Sequence, residues 1–467
     1  MGMAVDEHDL VVNVISSEVG NQAGTPQHSL DLVLLKFSTR EYHPLARHPL
    51  IHVQRSSSAR PSISVKIVGD NLALVVHGQD GSQLFIYDWK TGHKRLQHKG
   101  TDDAYEYSIP VFVSPELLLV PNLILSQFEV WHLPSHPSPN HPVQILSLQI
   151  PTISVNHSII SIYCHGEPGP FLHSMPYFPP RPFFPSSENS IIIVKLLLRS
   201  LPEPRSYRLI MHRRALLDMI QKWTSPSLLE QQEGLPAWLT NEVAVDKVAD
   251  PDDGTVRHGA QSRLVSTMPH PASPRTRGSP PLPTSPTSHI SADSSSLSIP
   301  PGSASSTPRY NILQVQWADW GPPISRWFQV NETHRGWINH STGQRFVFLD
   351  RNPRDKRKCM VGVADFNPYN VRRDAETMAQ LRAEGAGDNG SNDNNGKGKK
   401  DENEEELEIL DHEGVFSEEV LMGLKCVINH TPGEYDFDRV LMDEERLLGL
   451  KHNDEKRVES IKILYFG

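Results

Sequence analysis

The sequence predicts an all-β chain: a β-propeller of six or seven WD-like blades, the first blade incomplete, with two disordered inserts. Three observations predict it. Short β-rich runs alternate with turn residues from residue 9 to about 165. A strand–turn–strand–turn unit ending in an aromatic-tipped strand recurs at about 40 residues, the usual blade period. Two long stretches carry too little apolar content to fold.

The densest signal is Leu84-Phe85-Ile86-Tyr87-Asp88-Trp89-Lys90-Thr91-Gly92. A strand in a half-buried sheet alternates apolar and polar residues. This one is apolar on both faces, as a strand between two stacked sheets can be. Its Asp-Trp ending marks a propeller blade.

Taken in order, Asp9 to Ile15 and Ser29 to Phe37 read as strands. Ser64 to Val68, the turn Gly69-Asp70, Leu72 to Val76, the turn Gln79-Asp80-Gly81-Ser82 and the Trp89 strand make one clear unit. Asp-Gly between two such runs is a hairpin signal. The unit recurs as Val111 to Val120, Pro121-Asn122, and Phe128 to Leu133, with Phe128-Glu129-Val130-Trp131 set against Ile86-Tyr87-Asp88-Trp89. The competing reading is an ordinary antiparallel sandwich with two Trp-ended strands. Ile159 to Tyr163 and Ser190 to Leu198 are further strands, separated by a proline-rich excursion from Pro168 to Pro185 that no sheet interior accommodates. Tyr207 to Met211 is a strand. His212 to Trp223 is a short helix, with Leu216, Met219, Ile220 and Trp223 on one face.

Residues 1–240 thus form the first part of the propeller, and 241–310 a disordered Ser/Pro-rich insert. Ser273-Pro274, Ser279-Pro280, Ser285-Pro286 and Thr307-Pro308 in it suit proline-directed kinases. The propeller continues over 311–373, with strands at Ile312 to Trp317, Gly336 to Asn339, Gln344 to Asp350 and Met360 to Phe366. Residues 374–409 are a disordered acidic insert; 374–408 hold eleven acids against four bases, most of the net charge of −10. The final blade or blades fill 410–467, with strands at Gly423 to Ile428, Arg439 to Met442, Arg446 to Leu450 and Ile461 to Phe466.

Composition narrows the function. Mean hydropathy is −0.42, low for a chain that folds throughout. Cys164, Cys359 and Cys426 are scattered, with no CxxC pair, so a disulfide framework or zinc cage is not expected and a reducing compartment is. Outside the acidic stretch the chain is near neutral and offers no nucleic-acid footprint. Met1 to Glu7 has neither a basic n-region nor an apolar core, so it is not read as a signal peptide. The apolar run Ile191 to Leu198 is broken by Lys195 and too short to cross a bilayer. The sequons at Asn156, Asn331 and Asn429 therefore carry no weight. An intracellular, cytoplasmic or nuclear location is expected, with no membrane and no nucleic acid as partner.

No chemistry-bearing constellation emerges. There is no HExxH, GxSxG, GxxxxGK[ST] or GxGxxG. His43, His48 and His52 lie in a Pro-rich loop and read as core or solvent-facing histidines. Glu434, Asp436, Asp438, Asp443, Glu444 and Glu445 lack the glycine-bearing loop of an EF-hand and read as a solvated loop. The basic run Arg351, Arg354, Lys356, Arg357 and Lys358 reads as a hairpin tip or, more sharply, a docking patch for an acidic partner. No catalytic, cofactor-binding or metal residue is assigned, and no cofactor is expected.

The order of several motifs resembles the C-terminal β-propeller region of fungal F-box proteins. The carrying residues are Gly69 to Val75, Leu84 to Gly92, Val113-Ser114-Pro115-Glu116, Leu119-Val120-Pro121-Asn122, Trp317 to Phe328, Asp365 to Arg373, Tyr435-Asp436-Phe437-Asp438, and Asp443 to Leu450. The match runs from about Met3 to Gly467 apart from the two inserts. It implies a substrate-recognition propeller of a ubiquitin-ligase receptor. Proteins of this kind normally begin with an F-box, a helical segment that docks on the linker subunit of a cullin-RING ligase. Here the chain opens in a β-rich run, and Leu235-Pro236-Ala237-Trp238 is too isolated to serve. The bare chain is expected not to bind that subunit unless an upstream F-box exists.

The expected function is therefore a non-enzymatic protein-interaction module that takes a protein or peptide ligand on a propeller face. The alternative is a propeller enzyme, a hydrolase or lyase with polar groups converging on the central channel. The positions expected to face that channel read mostly as apolar residues and Pro, which favours the binding module.

Overall fold

A computed structural model describes residues 1–22, 25–78, 81–101, 105–134, 142–167, 169–170, 186–201, 203–225, 263–264, 312–330, 340–352, 354–355, 357–385, 407–443, 445–453, 455 and 457–465. Strands account for 55% and helices for 12%, so the chain is all-β, as the sequence predicts.

The strands form a succession of antiparallel meanders, one sheet after another along the chain. Sheet one is β1 (Gly2–Ala4), β2 (Leu10–Gln22), β3 (Thr25–Lys36) and β4 (Leu50–Ser56), in that order. It has four strands, so the expectation of an incomplete first blade is corrected. The missed strands are β1, three residues too short to carry a periodicity, and β4, which places His52 in a strand and not in the Pro-rich loop expected. Sheet two is β5 (Ser62–Val68), β6 (Asn71–Gly78), β7 (Gly81–Asp88) and β8 (His93–Lys99). Sheet three runs β9 (Val111–Ser114), β10 (Leu117–Asn122), β11 (Gln127–His132) and β12 (Val143–Gln149).

Later sheets borrow strands from distant segments. Sheet four joins β13 (Ser158–His165), β14 (Ile191–Arg199) and β15 (Arg205–His212) to β18 (Ser325–Val330). Sheet three gains two parallel strands beyond β12, β17 (Leu313–Val315) and then β16 (Arg263–Leu264). Sheet five is β19 (Ser341–Thr342), β20 (Arg345–Arg351), β21 (Cys359–Asp365) and β24 (Val427–His430). Sheet six has three strands, β25 (Arg439–Met442), β26 (Arg446–His452) and β27 (Val458–Tyr465). A two-stranded clip, β22 (Glu408–Ile409) with β23 (Leu421–Met422), lies against β18.

Each sheet packs face to face on the next. Leu10, Val12, Leu32 and Leu34 of sheet one meet Leu72, Leu74, Phe85 and Tyr87 of sheet two. The other face of sheet two, Ala73, Val75, Leu84 and Ile86, meets Phe112, Leu118, Val120 and Trp131 of sheet three. Sheets three and four share the largest core, which also takes Leu410, Phe416 and Met422. Ile191, Ile193 and Ile210 meet Phe346, Ala364 and Phe366 between sheets four and five. Val347 and Val361 meet Val440, Met442 and Leu447 between five and six. A middle strand is thus covered on both faces, which is why its apolar residues do not alternate.

Two Trp–His knots fasten the first junctions. The Trp89 indole N–H donates to Gly69 O at 2.8 Å, and His8 and His43 approach the ring edge-on at 5.1 and 5.0 Å. Glu7 accepts from Gly69 N at 2.9 Å. The Trp131 indole N–H donates to Glu129 at 3.2 Å, and His98 of sheet two lies 5.1 Å from its ring. The two tryptophans are not register equivalents, however. Trp89 N bonds Asp70 O as Leu133 N bonds Glu116 O, so Trp89 matches Leu133 and Trp131 matches Tyr87. An offset of two residues keeps every side chain on its face and leaves the pattern unchanged.

Other boundaries shift. The helix Arg213–Thr224 buries Leu216, Met219 and Ile220 as expected. The strand expected over Ile312 to Trp317 stops at Val315, and Trp317–Trp320 is a helical turn. A Cβ on Gly321 would stand 2.2 Å from the Trp317 ring, so only glycine lets the turn close. The strand expected over Gly423 to Ile428 divides, because Leu421–Met422 and Val427–His430 belong to different sheets. The helix Pro368–Gly385 carries regular structure into the stretch expected to be disordered from 374. Its Ala, Met, Leu, Gln and Arg content favours helix whatever its net charge. Within 241–310, Arg263–Leu264 pairs with β17. The rest of 241–310, most of the Pro168 to Pro185 excursion, residues 386–406, Leu235 to Trp238 and the strand expected at Gly336 to Asn339 lie outside the described residues.

Candidate functional site

The first strands of successive sheets lie side by side. β1 contacts β5, β5 contacts β9, and Ile109, just before β9, bridges to Tyr163 of β13. Charged and titratable side chains in and beside the strands of these sheets act on one another electrostatically. Asp6 sits in the helical turn Val5–His8 between β1 and β2. Lys66 is in β5, His165 ends β13, and Glu167 follows it. Arg213 opens the helix after β15, and His340 precedes β19. These six groups come from four different sheets, yet their charges act on one another. His165 feels Lys66, His340 and Arg213, and Glu167 feels Lys66, Arg213 and Asp6.

Backbone contacts explain the convergence. Glu167 O accepts from Gly343 N at 3.2 Å, tying the end of β13 to the turn between β19 and β20. Arg213 N donates to Ser190 O at 2.9 Å, and its guanidinium donates to Ser187 O at 2.7 Å. A Cβ on Gly166 would stand 2.9 Å from Arg213 Nη2, so the glycine lets the guanidinium lie against the chain beside His165.

Burial sets the charge states. The His165 imidazole is pushed down to about 3 by burial, with Lys66, His340 and Arg213 adding to the effect, so it stays neutral. Its Nε2 is enclosed and makes no hydrogen bond among the described residues. The Glu167 carboxyl is raised by burial, against the pull of Lys66 and Arg213. Arg213 is lowered to about 10 by burial, opposed by Glu167. The result is a set of basic and acidic side chains around a neutral His165 imidazole, suited to orienting a polar ligand. Among the described residues no group of three His, Cys, Asp or Glu is placed to hold a metal ion.

The sequence reading missed this site. It assigns no site residue, whereas the charges of Asp6, Lys66, His165, Glu167, Arg213 and His340 act on one another in the structure. Little links these residues in sequence, because apart from His165 and Glu167 they stand in or beside elements of different sheets far apart in the chain. The one local hint is the basic pair Arg213-Arg214 that opens the helix directly after the apolar strand β15.

The constellations weighed from sequence are dispersed. His43 is buried against Trp89, its Nε2 2.9 Å from His8 O, while His52 is exposed and pairs with Asp31 at 2.8 Å. The C-terminal carboxylates are paired one by one: Glu434 with Lys358, Asp436 with Lys451, Asp443 with Arg446. Asp438 accepts from His452 N at 2.6 Å. Arg351 to Lys358 span the β20–β21 turn, the hairpin tip expected, with Lys356 outside the described residues. Cys164, Cys359 and Cys426 are free thiols. Among the described residues no helix is long and apolar enough to cross a membrane.

No protein-family model and no curated protein matches this chain.

Proposed function

We propose that this chain is a β-propeller interaction module that binds a protein or peptide segment at the cluster of Asp6, Lys66, His165, Glu167, Arg213 and His340. One observation carries the reading. A straight stack of sheets would keep sheet one far from sheets four and five. Asp6 of sheet one instead acts on Glu167 of sheet four, and a Cβ on Gly169, just past Glu167, would touch Val68 of sheet two at 3.9 Å. Sheets arranged around an axis bring such residues together, and propellers bind ligands where their first strands converge.

Two features support binding over turnover. Arg213 is held by backbone carbonyls, and the Cys164 thiol beside His165 is pushed up by burial, so it stays protonated and unreactive. The resemblance to the substrate-recognition region of F-box proteins points the same way, and docking on a cullin-RING ligase belongs to that proposal. A propeller hydrolase or lyase is the second reading. The raised Glu167 carboxyl beside the neutral His165 favours it, because groups pushed apart in pKa can serve as acid and base.

The test is a displayed library of random peptides panned against the full chain. The expected result is a consensus peptide whose binding is lost in Lys66→Ala and His340→Ala, both of which keep the wild-type melting temperature. Hydrolysis or elimination on a substrate panel, abolished by Glu167→Gln, would establish the enzyme reading instead. A pull-down against the purified cullin linker subunit tests the ligase proposal separately.

A further inference from the structure

Sheet six stops at three strands where the other five large sheets have four or more. Sheets three, four and five each add strands from segments remote in sequence, β17 and β16, β18, and β24. Among the described residues β27 pairs with β26 alone and forms the edge. It is eight residues of largely exposed strand, with Ile461 59%, Ile463 47% and Tyr465 73% exposed along one face. Natural edges are normally blunted by charge, proline or a cover. β8, the edge of sheet two, carries Lys94, Arg95 and Lys99. β27 has one lysine and one glutamate, and no proline.

We propose that a second copy of this chain covers this edge, β27 pairing antiparallel with β27 and Ile461 lying on the two-fold axis. A two-fold axis normal to the sheet keeps each face on its own side, so one residue must face its own counterpart. Centring on Lys462 sets two ammonium groups opposite each other, which is destabilising. Centring on Ile461 sets Ile461 against Ile461, Glu459 against Ile463 and Arg457 against Tyr465 on one face. On the other face it sets Val458 against Leu464 and Ser460 against Lys462. No like charges meet, and the exposed apolar side chains form one patch across the axis.

Two measurements test this on the full chain with Cys426→Ser. Residues facing each other across antiparallel strands have Cα atoms about 4.5–5.5 Å apart, within the reach of a disulfide. Ile461→Cys is expected to give a covalent dimer under mild oxidation, and Lys462→Cys, which faces Ser460, is expected to stay monomeric. Sedimentation equilibrium is expected to show a reversible dimer, weakened at least about tenfold by Ile461→Lys, which puts like charges across the axis. Ile461 is exposed, so the melting temperature of the monomer should not move. Equal cross-linking at both positions, or a wild-type chain that stays monomeric at every concentration, overturns the proposal; the second result would leave the edge to a strand from a different protein.

Discussion

Trp89→Ala tests the junction of sheets one and two. The indole is fully buried among Leu10, Leu32, Leu34, Leu72 and Phe85 and lies between the edges of His8 and His43. Truncating a buried tryptophan costs about 3–5 kcal/mol through lost transfer energy and the cavity left behind. The lost hydrogen bond adds little, because Gly69 O keeps the His8 ring at 2.9 Å. Trp89→Phe, which keeps most of the volume, should therefore cost about 1 kcal/mol. Native stabilities are about 5–15 kcal/mol, so the alanine variant loses a large share and the phenylalanine variant a small one. Urea denaturation followed by far-ultraviolet circular dichroism reads both. A large fall in midpoint for Trp89→Ala and a small one for Trp89→Phe is expected. An unchanged midpoint for Trp89→Ala would refute the packing of sheet one on sheet two.

Three further outcomes follow from named groups. Burial raises Glu129 from 4.5 to about 7, so the folded state holds a proton that the unfolded state releases. Its contribution to stability is complete below about pH 4.5 and is lost as pH rises through 7; in Glu129→Gln the melting temperature should vary less between pH 5 and 8, and an unaltered profile would count against the buried carboxyl. Arg326 holds Glu408 by two bonds of 3.1 and 2.7 Å, which lowers the Glu408 carboxyl below its usual range. Glu408 is half-exposed, so Glu408→Ala should cost about 1 kcal/mol at pH 7 and less as pH falls through the folded pKa; equal cost at pH 3 and 7 would contradict the pairing. Gly166→Ala brings a methyl group against Arg213 Nη2, the end of a flexible side chain that can shift, so it should cost no more than about 1 kcal/mol while weakening peptide binding through the displaced guanidinium; wild-type binding would show that the guanidinium does not lie where described.

Much of the fold was legible because sheet burial writes directly into the strands. Leu72 to Val76 and Leu84 to Tyr87 show runs that only doubly covered strands carry, and the helix at Arg213–Thr224 shows its stripe. What was not legible depends on distance. β1 is too short to have a period, and the match of Trp89 to Leu133 depends on hydrogen-bond register. β18 and β24 reach their sheets across long intervening segments. The site was the least legible part, since Asp6, Lys66, Glu167 and His340 become neighbours only through the order of sheets. Ion pairs such as Lys451 with Asp436 show the converse, where a carboxylate-rich stretch that draws the eye is neutralised across a hairpin.

The central claim is that successive sheets close around an axis lined by the charged cluster. A crystal structure of the full chain tests it most directly. The expected map shows six or seven radial sheets around one axis, with Asp6, Lys66, His165, Glu167, Arg213 and His340 facing it. Two face-packed sheets with no axis, or Asp6 and Glu167 on opposite sides of the molecule, would contradict it.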